Sequence, residues 1–447
     1  MSTDVVAARG SLADLLAGQA QPPATPTSTV SPNLAWLKAL RAEATERVGL
    51  LRMPTPHDEA WRYTDISALT RKLFHPLRTQ TSLQAGDIER FHIDEATTRL
   101  VFVDGVHAPQ LSNIGAGAGG VALVAGNLTS TMVTHGSTLQ AHLGRHAAFH
   151  DRPFAALNTS FLNDAAVIVI PRATSVATPV HLLFIATQPE LAAHPRVLLV
   201  AEPGSAVTLI EDYVTLHEGA YFTNSVVEVA LGASARVEHV RVQRESGQAF
   251  HIASCAVSLA HASRYHSVSV ALGARISRVE LEVRQTAAAA ECSLDGLALI
   301  GDHQLADTHT FIDHAEPRGV SRQLHKTIVD DAAHAVFRGK VMVRTGAQQT
   351  DSAQSSRNLL LSARARVETL PQLEIFADDV KCTHGATVGQ LDSEEIFYLR
   401  SRGLSEAAAK KLLTYAFGAE VIDRIPVASL RRRLEQAVLE QTTTVQP

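Results

Sequence analysis

The sequence predicts a mainly β protein, built as a β-solenoid core flanked by helical segments at both ends. Three observations carry this. First, between about residues 155 and 385 short β-rich runs follow one another, among them AAVIVIP, VHLLFIAT, RVLLVAE, ARVEHVRV and HAVFRGKVMVR. Several alternate with period two: Val279, Leu281 and Val283 face one way, Glu280, Glu282 and Arg284 the other. Second, no long amphipathic helical pattern separates these runs, which argues against a βαβ sheet. Third, a weak repeat of irregular spacing recurs in LGASARVE (231–238), LAHASRYH (259–266), LGARISRVE (272–280) and LLSARARVE (360–368). Its common form is a leucine, a small pair, then a strand with charged outward positions. Stacked coils that bury their inner faces on one another fit this pattern. A β-sandwich or jelly roll is the alternative that the same strands admit.

Taken in order, residues 1–30 read as a flexible tail, with LLAGQAQPPATPTSTV rich in Ala, Pro, Thr and Gln. Residues 31–153 read as a helical and mixed domain. Ser31-Pro32 is an N-cap followed by proline at the first helical position. Leu34, Leu37, Leu40, Ala44 and Val48 then recur at helical spacing up to Gly49. PTPHDEAWRYTD (54–65) suggests a second short helix carrying Trp61 and Tyr63, and LVFVDG (100–105) a strand and turn. Residues 154–390 form the β core. From 391 the texture is helical. Asp392 and Glu395 make a capping pattern, and Gly403 ends the first helix. Ser405 caps the next, with Ala409, Leu412, Leu413, Ala416 and Phe417 as its apolar stripe. Pro426 breaks it before ASLRRRLEQAVLEQ.

Composition excludes several classes. The chain has 447 residues, 45% hydrophobic and 19% charged, an ordinary soluble composition. A net charge of −5 offers nucleic acid no basic face, and 5% aromatics argue against a base-stacking platform or sugar cleft. No run reaches the roughly 20 apolar residues that span a bilayer. MSTDVVAARGSLADLL does not read as a secretory signal. Three widely spaced cysteines, Cys255, Cys292 and Cys382, suggest neither a disulfide framework nor a closed zinc site. A reducing cytoplasm is the expected location, with no membrane and no nucleic acid as partner.

Three motifs bear on chemistry. Residues 115–120, GAGAGG, match G-x-G-x-x-G, but β character follows and no acid lies between 121 and 150. That favours a glycine loop over a dinucleotide site. Between 302 and 334 lie Asp302, His303, Asp307, His309, Asp313, His314, His325 and His334. On a strand His303, Asp307 and His309 would share a face, and a metal-dependent enzyme on a β-solenoid is the alternative function they support. Finally, DDVKCTHGATVG (378–389) places Cys382 and His384 two residues apart. Thiolate and imidazole are both ligands for iron or zinc. Two ligands make half a site, so the pair is either a structural corner or half of a site completed elsewhere.

The segment DDVKCTHGATVGQLDSEEIFYLRSRGLS (378–405) resembles the C-terminal hallmark of the SufB/SufD family of iron–sulfur cluster assembly proteins. QQTDSAQSSRNLLLS (348–362), VFRGKVMV (336–343), DTHTFIDH (307–314), FAALNTSFLNDAAVIVIP (154–171) and VFVDGVHAPQLS (101–112) extend the likeness over most of the chain. HDEAWRYTDIS (57–67) after a helix, together with the small cysteine count, resembles the SufD side of the family. Ser160 and Asp164-Ala165 depart from the family pattern, as a local turn change.

The resemblance implies a right-handed parallel β-helix and a non-catalytic scaffold. It implies a heterodimer with a SufB-type subunit, and a SufC-type ABC ATPase docked on each subunit. A transient iron–sulfur cluster would be built at the subunit interface, with His384 as its first ligand candidate and Cys382 as the second. Phe397, Tyr398, Arg400, Arg402, Lys410 and Lys411 would form the ATPase docking surface. The exposed heterodimer edge invites a homodimer of the isolated chain. Reduced FAD would join the assembled complex, with no residue of this chain assigned to it.

Overall fold

Alternating strands of this kind can coil only if each finds a parallel neighbour one turn away. A computed structural model describes Leu12, Leu15 and residues 34–75, 77, 81–115 and 123–441. From Val180 to Gly389 successive long strands fall alternately into two sheets, one of 11 strands and one of 10. Each pairs in parallel with the strand one coil on: Arg236 with Ala206 and Arg264, then Arg264 with Glu291. The result is a β-solenoid of about 8 turns. Antiparallel pairs occur, among the described residues, only near its start, where Thr98–Val103 meets Val106–His107 and Asn113–Ile114, and Val124–Asn127 meets Ala166–Ile170. Parallel pairing removes the antiparallel jelly roll as an alternative.

The sequence repeat marks the corners of the coils. Ser234 and Ala262 adopt positive φ of 57° and 52°, as do Ala289, Arg318 and Gln349 at equivalent corners. The left-handed region costs a non-glycine residue on the order of 1–3 kcal/mol. A ladder of backbone bonds offsets it: the N–H of Ser234 donates to the carbonyl of His261 at 2.8 Å, and Ala262 to Ala288 at 3.1 Å. Arg318 continues it to Gln348 at 2.8 Å and Gln349 to Asp379 at 2.6 Å. Each corner is thus tied to the next. The small residues of the repeat suit so close a stack.

The outer faces of the two sheets are covered by different helices. Helix α1 (Ala35–Leu50), α2 (Leu128–His142) and α3 (Pro153–Ser160) lie over one sheet. Ala44, Val48, Trp61, Phe74 and Phe154 pack there on Phe222, Val226, Phe250 and Ile252. Leu12 and Leu15 are buried in the same cluster; the rest of the expected 1–30 tail, Ser31-Pro32 and most of the glycine loop lie outside the described residues. Polar clasps fix the docking. The Arg278 guanidinium sits 3.8 Å over the Trp61 ring and pairs with Asp307, which also accepts from Thr64 at 2.5 Å. Glu228 receives Arg196 at 2.6 Å and the backbone N–H groups of Gly144, His146 and Ala147. Asp164, one of the departures from the family pattern, accepts from the backbone N–H of Leu128 at 3.1 Å and pins the start of α2.

The other sheet carries α4 (Ser393–Ser401), α5 (Glu406–Ile422) and α6 (Ala428–Gln441). These run back from the last coil: Val421, Ile422, Leu430 and Leu434 bury against Val240, Val268, Val270 and Leu297. The inner face of α5 is Ala409, Thr414, Gly418, Val421 and Ile422, with Phe417 half-buried on the same cluster; the expected stripe keeps Ala409, Leu413 and Phe417 and loses Ala416 and Leu412, the latter 44% exposed. Gly418 is buried in this contact, and a Cβ there would meet Ile328 and Leu297 at 3.5 Å, an ordinary van der Waals distance.

Candidate functional site at the open end of the solenoid

Among the described residues nothing caps the last coil. Among the described strands, Arg366–Ile375 closes one sheet and Val380–Gly389 the other. All their residues are half-buried or exposed, and Phe376 beside them is 60% exposed. An unpaired strand edge is a template for another chain. Pro371 lacks the N–H that such pairing needs, which blunts one edge. Val380–Gly389 contains no proline and stays open.

Register places the motif of greatest chemical interest on the inner face of that open strand. Cys382 pairs with Ser352, which continues inward to Ser321, Cys292 and Tyr265. His384 pairs with Gln354, then Gln323, Leu294 and Ser267. Cys382 packs on the inner core cluster, half-buried, while His384 is exposed at the mouth. Side chains two apart on a strand lie about 7 Å from one another, which lets both reach one ion or cluster. Burial pushes the Cys382 thiol above its ordinary pKa, only partly offset by a hydrogen bond from Ser352, so it favours the protonated form. A metal or a partner's cation would be needed to make it a thiolate.

The coils beneath the mouth have a polar interior. Ser321 donates to Ser352 at 2.8 Å, and its hydroxyl also meets His314 Nε2 at 2.9 Å. Thr310 donates to Gln323 at 2.8 Å, and Asn358 to Ser356 at 3.1 Å. Burial depresses His314 and His325 to about 4, so both are neutral imidazoles.

The proposed metal-enzyme cluster is not assembled. His303 lies in a turn before the strand Leu305–His314, and Asp302 in the same corner. Asp307 and His309 do share the outer face, 3.0 Å apart, but Asp307 is consumed by Arg278. Burial raises the Asp307 carboxyl, and the charge of Arg278 outweighs it, leaving it at about 2. Asp313 is tied to Arg344, while His314 and His325 point into the solenoid. No group of three or more His, Cys, Asp or Glu fit to hold a metal exists among the described residues. The coil separates residues that even spacing seemed to gather. Cys382 and His384 likewise supply two donors, chemically suited to iron and incomplete by themselves.

The expected docking residues stand on α4 and α5. Phe397 is 73% exposed and Tyr398 57%, with Arg402 5.2 Å over the Tyr398 ring. Arg400 and Lys410 are exposed and both lean on Glu406, at 3.5 and 2.8 Å; Lys411 is half-buried. Beside them a groove of about 790 Å³ runs between Leu360, Leu361 and Leu391 of the core and Ile396, Lys411 and Thr414 of the helices.

This arrangement has counterparts. The family described as SUF system FeS cluster assembly, SufBD core domain, matches residues 184–417, and SufBD protein N-terminal region matches 27–182. The chain belongs to the SufBD family. It is 40% identical to an iron–sulfur cluster assembly SufBD family protein of Synechocystis, over 89% of each chain. It is 32% identical to the iron–sulfur cluster assembly protein SufD of Escherichia coli, over 89% of this chain and 94% of that one. It is therefore a SufD-like member of a family of iron–sulfur assembly proteins. No helix among the described residues is long and apolar enough to cross a membrane.

What reading the sequence missed in this SufBD chain is the polar interior behind the mouth. Its signal was present in QTDSAQSSRN: Ser352, Gln354, Ser356 and Asn358 recur with period two and share the buried face of one strand.

Proposed function

We propose that this chain is a non-catalytic scaffold subunit for iron–sulfur cluster assembly, working at the open end of its solenoid. The observation that supports it best is the placement of Cys382 and His384 together on the inner face of an unpaired terminal strand. A SufB-type subunit pairs there as a heterodimer and contributes the donors this chain lacks. The transient cluster forms at that interface as cargo, with His384 as the ligand from this side and Cys382 as the secondary one. A SufC-type ABC ATPase docks on α4 and α5 through Phe397 and Tyr398, flanked by Arg400, Arg402, Lys410 and Lys411. Its movement opens the interface through a difference in affinity between two states. The isolated chain pairs with itself through the same edge. Reduced FAD belongs to the assembled complex, with no residue of this chain assigned to it. The cytoplasm is the proposed compartment.

The test is to tag the chain at its native locus, purify it without oxygen and identify what co-elutes by mass spectrometry. An ABC ATPase and a second, related β-solenoid chain are expected. His384→Ala should abolish cluster assembly while leaving that complex intact. Recovery of the chain alone with its own stoichiometric metal would sink the proposal.

A further inference from the structure

Gln354 is buried at 3% exposure, and neither its Oε1 nor its Nε2 has a hydrogen-bond partner among the described residues. That sets it apart from its neighbours. Gln323 accepts from Thr310 at 2.8 Å, Asn358 donates to Thr387 at 3.0 Å, and Gln285 donates to Val320 at 3.1 Å. Each of those inner amides is held by at least one bond. An amide buried without any costs on the order of 1–3 kcal/mol, and leucine in its place would avoid that cost.

The fold nonetheless makes room for it. A Cβ at Gly339, on the facing sheet, would lie 2.0 Å from Gln354 Nε2 and 2.8 Å from Phe337 Cζ, so the bare glycine leaves open the place that the amide end takes. Register puts Gln354 directly beside His384, one coil in, on the same inner face. A histidine that binds metal through one ring nitrogen carries its proton on the other, and that N–H requires an acceptor. Nothing else in this column supplies a free one: Ser267 and Leu294 lie coils away, and the Gln323 carbonyl is taken by Thr310.

We propose that Gln354 is a positioning residue for His384, its amide oxygen accepting the imidazole N–H that faces away from the bound iron. This rests on the reading of His384 as an iron ligand. It explains why a costly unpaired amide occupies this place: its partner is complete only when His384 turns inward to hold metal.

The test uses the full chain, purified without oxygen together with whatever it binds, titrated with ferrous iron and melted in parallel. Losing the partner of a metal-bound histidine costs about 10–100-fold in metal affinity. Gln354→Leu should therefore weaken iron binding by that factor while its melting midpoint holds or rises, because an unpaired amide is removed. A residue with a merely structural role would not lose affinity as stability held. Gln354→Glu keeps an acceptor and should retain iron affinity with a lower midpoint, since a carboxylate is costlier to bury. If branching at Leu clashes with Gly339, unbranched Gln354→Met carries the same expectation. Wild-type iron affinity in Gln354→Leu, with affinity lost in His384→Ala, would overturn this inference alone. Wild-type affinity in His384→Ala would overturn the ligand reading and this inference with it.

Discussion

The first coils of the solenoid and the last are built on the same backbone with differently filled interiors. Around Leu182, Leu199, Leu209 and Val229 the space between the sheets holds fully buried aliphatic side chains, and the buried charges beside them are paired, Glu211 with His239 and Glu245 with His251, each at 2.6 Å. Around Ser321, Gln323, Ser352 and Gln354 the same positions are polar, and several of their atoms lack partners. Coils contact only their neighbours, so each carries its own share of stability. The early coils are therefore the anchor, and the late coils trade stability for a polar floor beneath Cys382 and His384.

The contrast is broken most directly by a cavity. Leu209→Ala should cost about 2–5 kcal/mol, the range for a leucine deleted from a close-packed core. Ser352→Ala, on the equivalent face near the mouth, should cost about 1 kcal/mol, the net worth of one hydrogen bond. Denaturant melts of both variants decide it. Equal losses would mean that the two interiors are equivalent after all.

Hydrogen exchange sharpens the same comparison without mutation. Protection follows local opening, which is easiest where backbone bonds are exposed and apolar burial is thin. Amides of 366–389 should exchange well before those of 206–259 in the isolated chain. A partner seated on the mouth should slow the former and leave the latter unchanged. Uniform exchange along the rod would remove the idea of an anchor and a soft end.

A third test concerns what holds the helical cover over the late coils. His266 lies between Glu238 at 2.6 Å and Asp295 at 3.0 Å, and Asp295 also binds Arg424, just past the end of α5, at 2.6 Å. Burial lowers the imidazole, but the bonds to Asp295 and Glu238 outweigh it and raise it to about 9. A folded value above the unfolded one stabilises the protein fully below the ordinary pKa of about 6.5 and is lost as pH climbs through 9. The melting midpoint should fall across that window, and less so in His266→Gln. A His266→Gln profile parallel to wild type would show that the clasp carries no charge.

Much of this was legible in the sequence, for identifiable reasons. Period two in 279–284 survives because one face of that strand meets the core and the other meets Arg152 and Arg278. The repeat was visible because small residues recur at several corners, Ser234 and Ala262 at left-handed turns among them, while Arg318 and Gln349 take that position at corners the repeat does not mark. The His/Asp run misled because distance along the chain says nothing about which face of a coil a residue takes: Asp307 points outward and His314, on the same strand, inward. Leu412 was misassigned to the buried stripe because the buried line of α5 runs through Thr414 and Gly418, which leave no hydrophobic mark. Cys382 and His384 were readable as a pair. Their floor of serine and glutamine needed the register of four strands, which no local pattern contains.

The smallest expected effect tests the late coils from outside. Arg322 reaches across to the next coil, with Nη2 2.7 Å from the Asp351 carboxylate and Nη1 2.8 Å from its backbone carbonyl. Both side chains are substantially exposed, and exposed pairs contribute about 0–1 kcal/mol. Arg322→Ala should shift a denaturant midpoint by no more than that, and the shift should shrink further in high salt. It should also fall below the loss in Ser352→Ala, whose bond joins the same two strands from the buried side. A larger cost for Arg322→Ala would mean that the soft end is held by ties on its surface. Its polar interior would then be free of any structural duty, and the early and late coils would differ in where they are fastened as well as in how firmly.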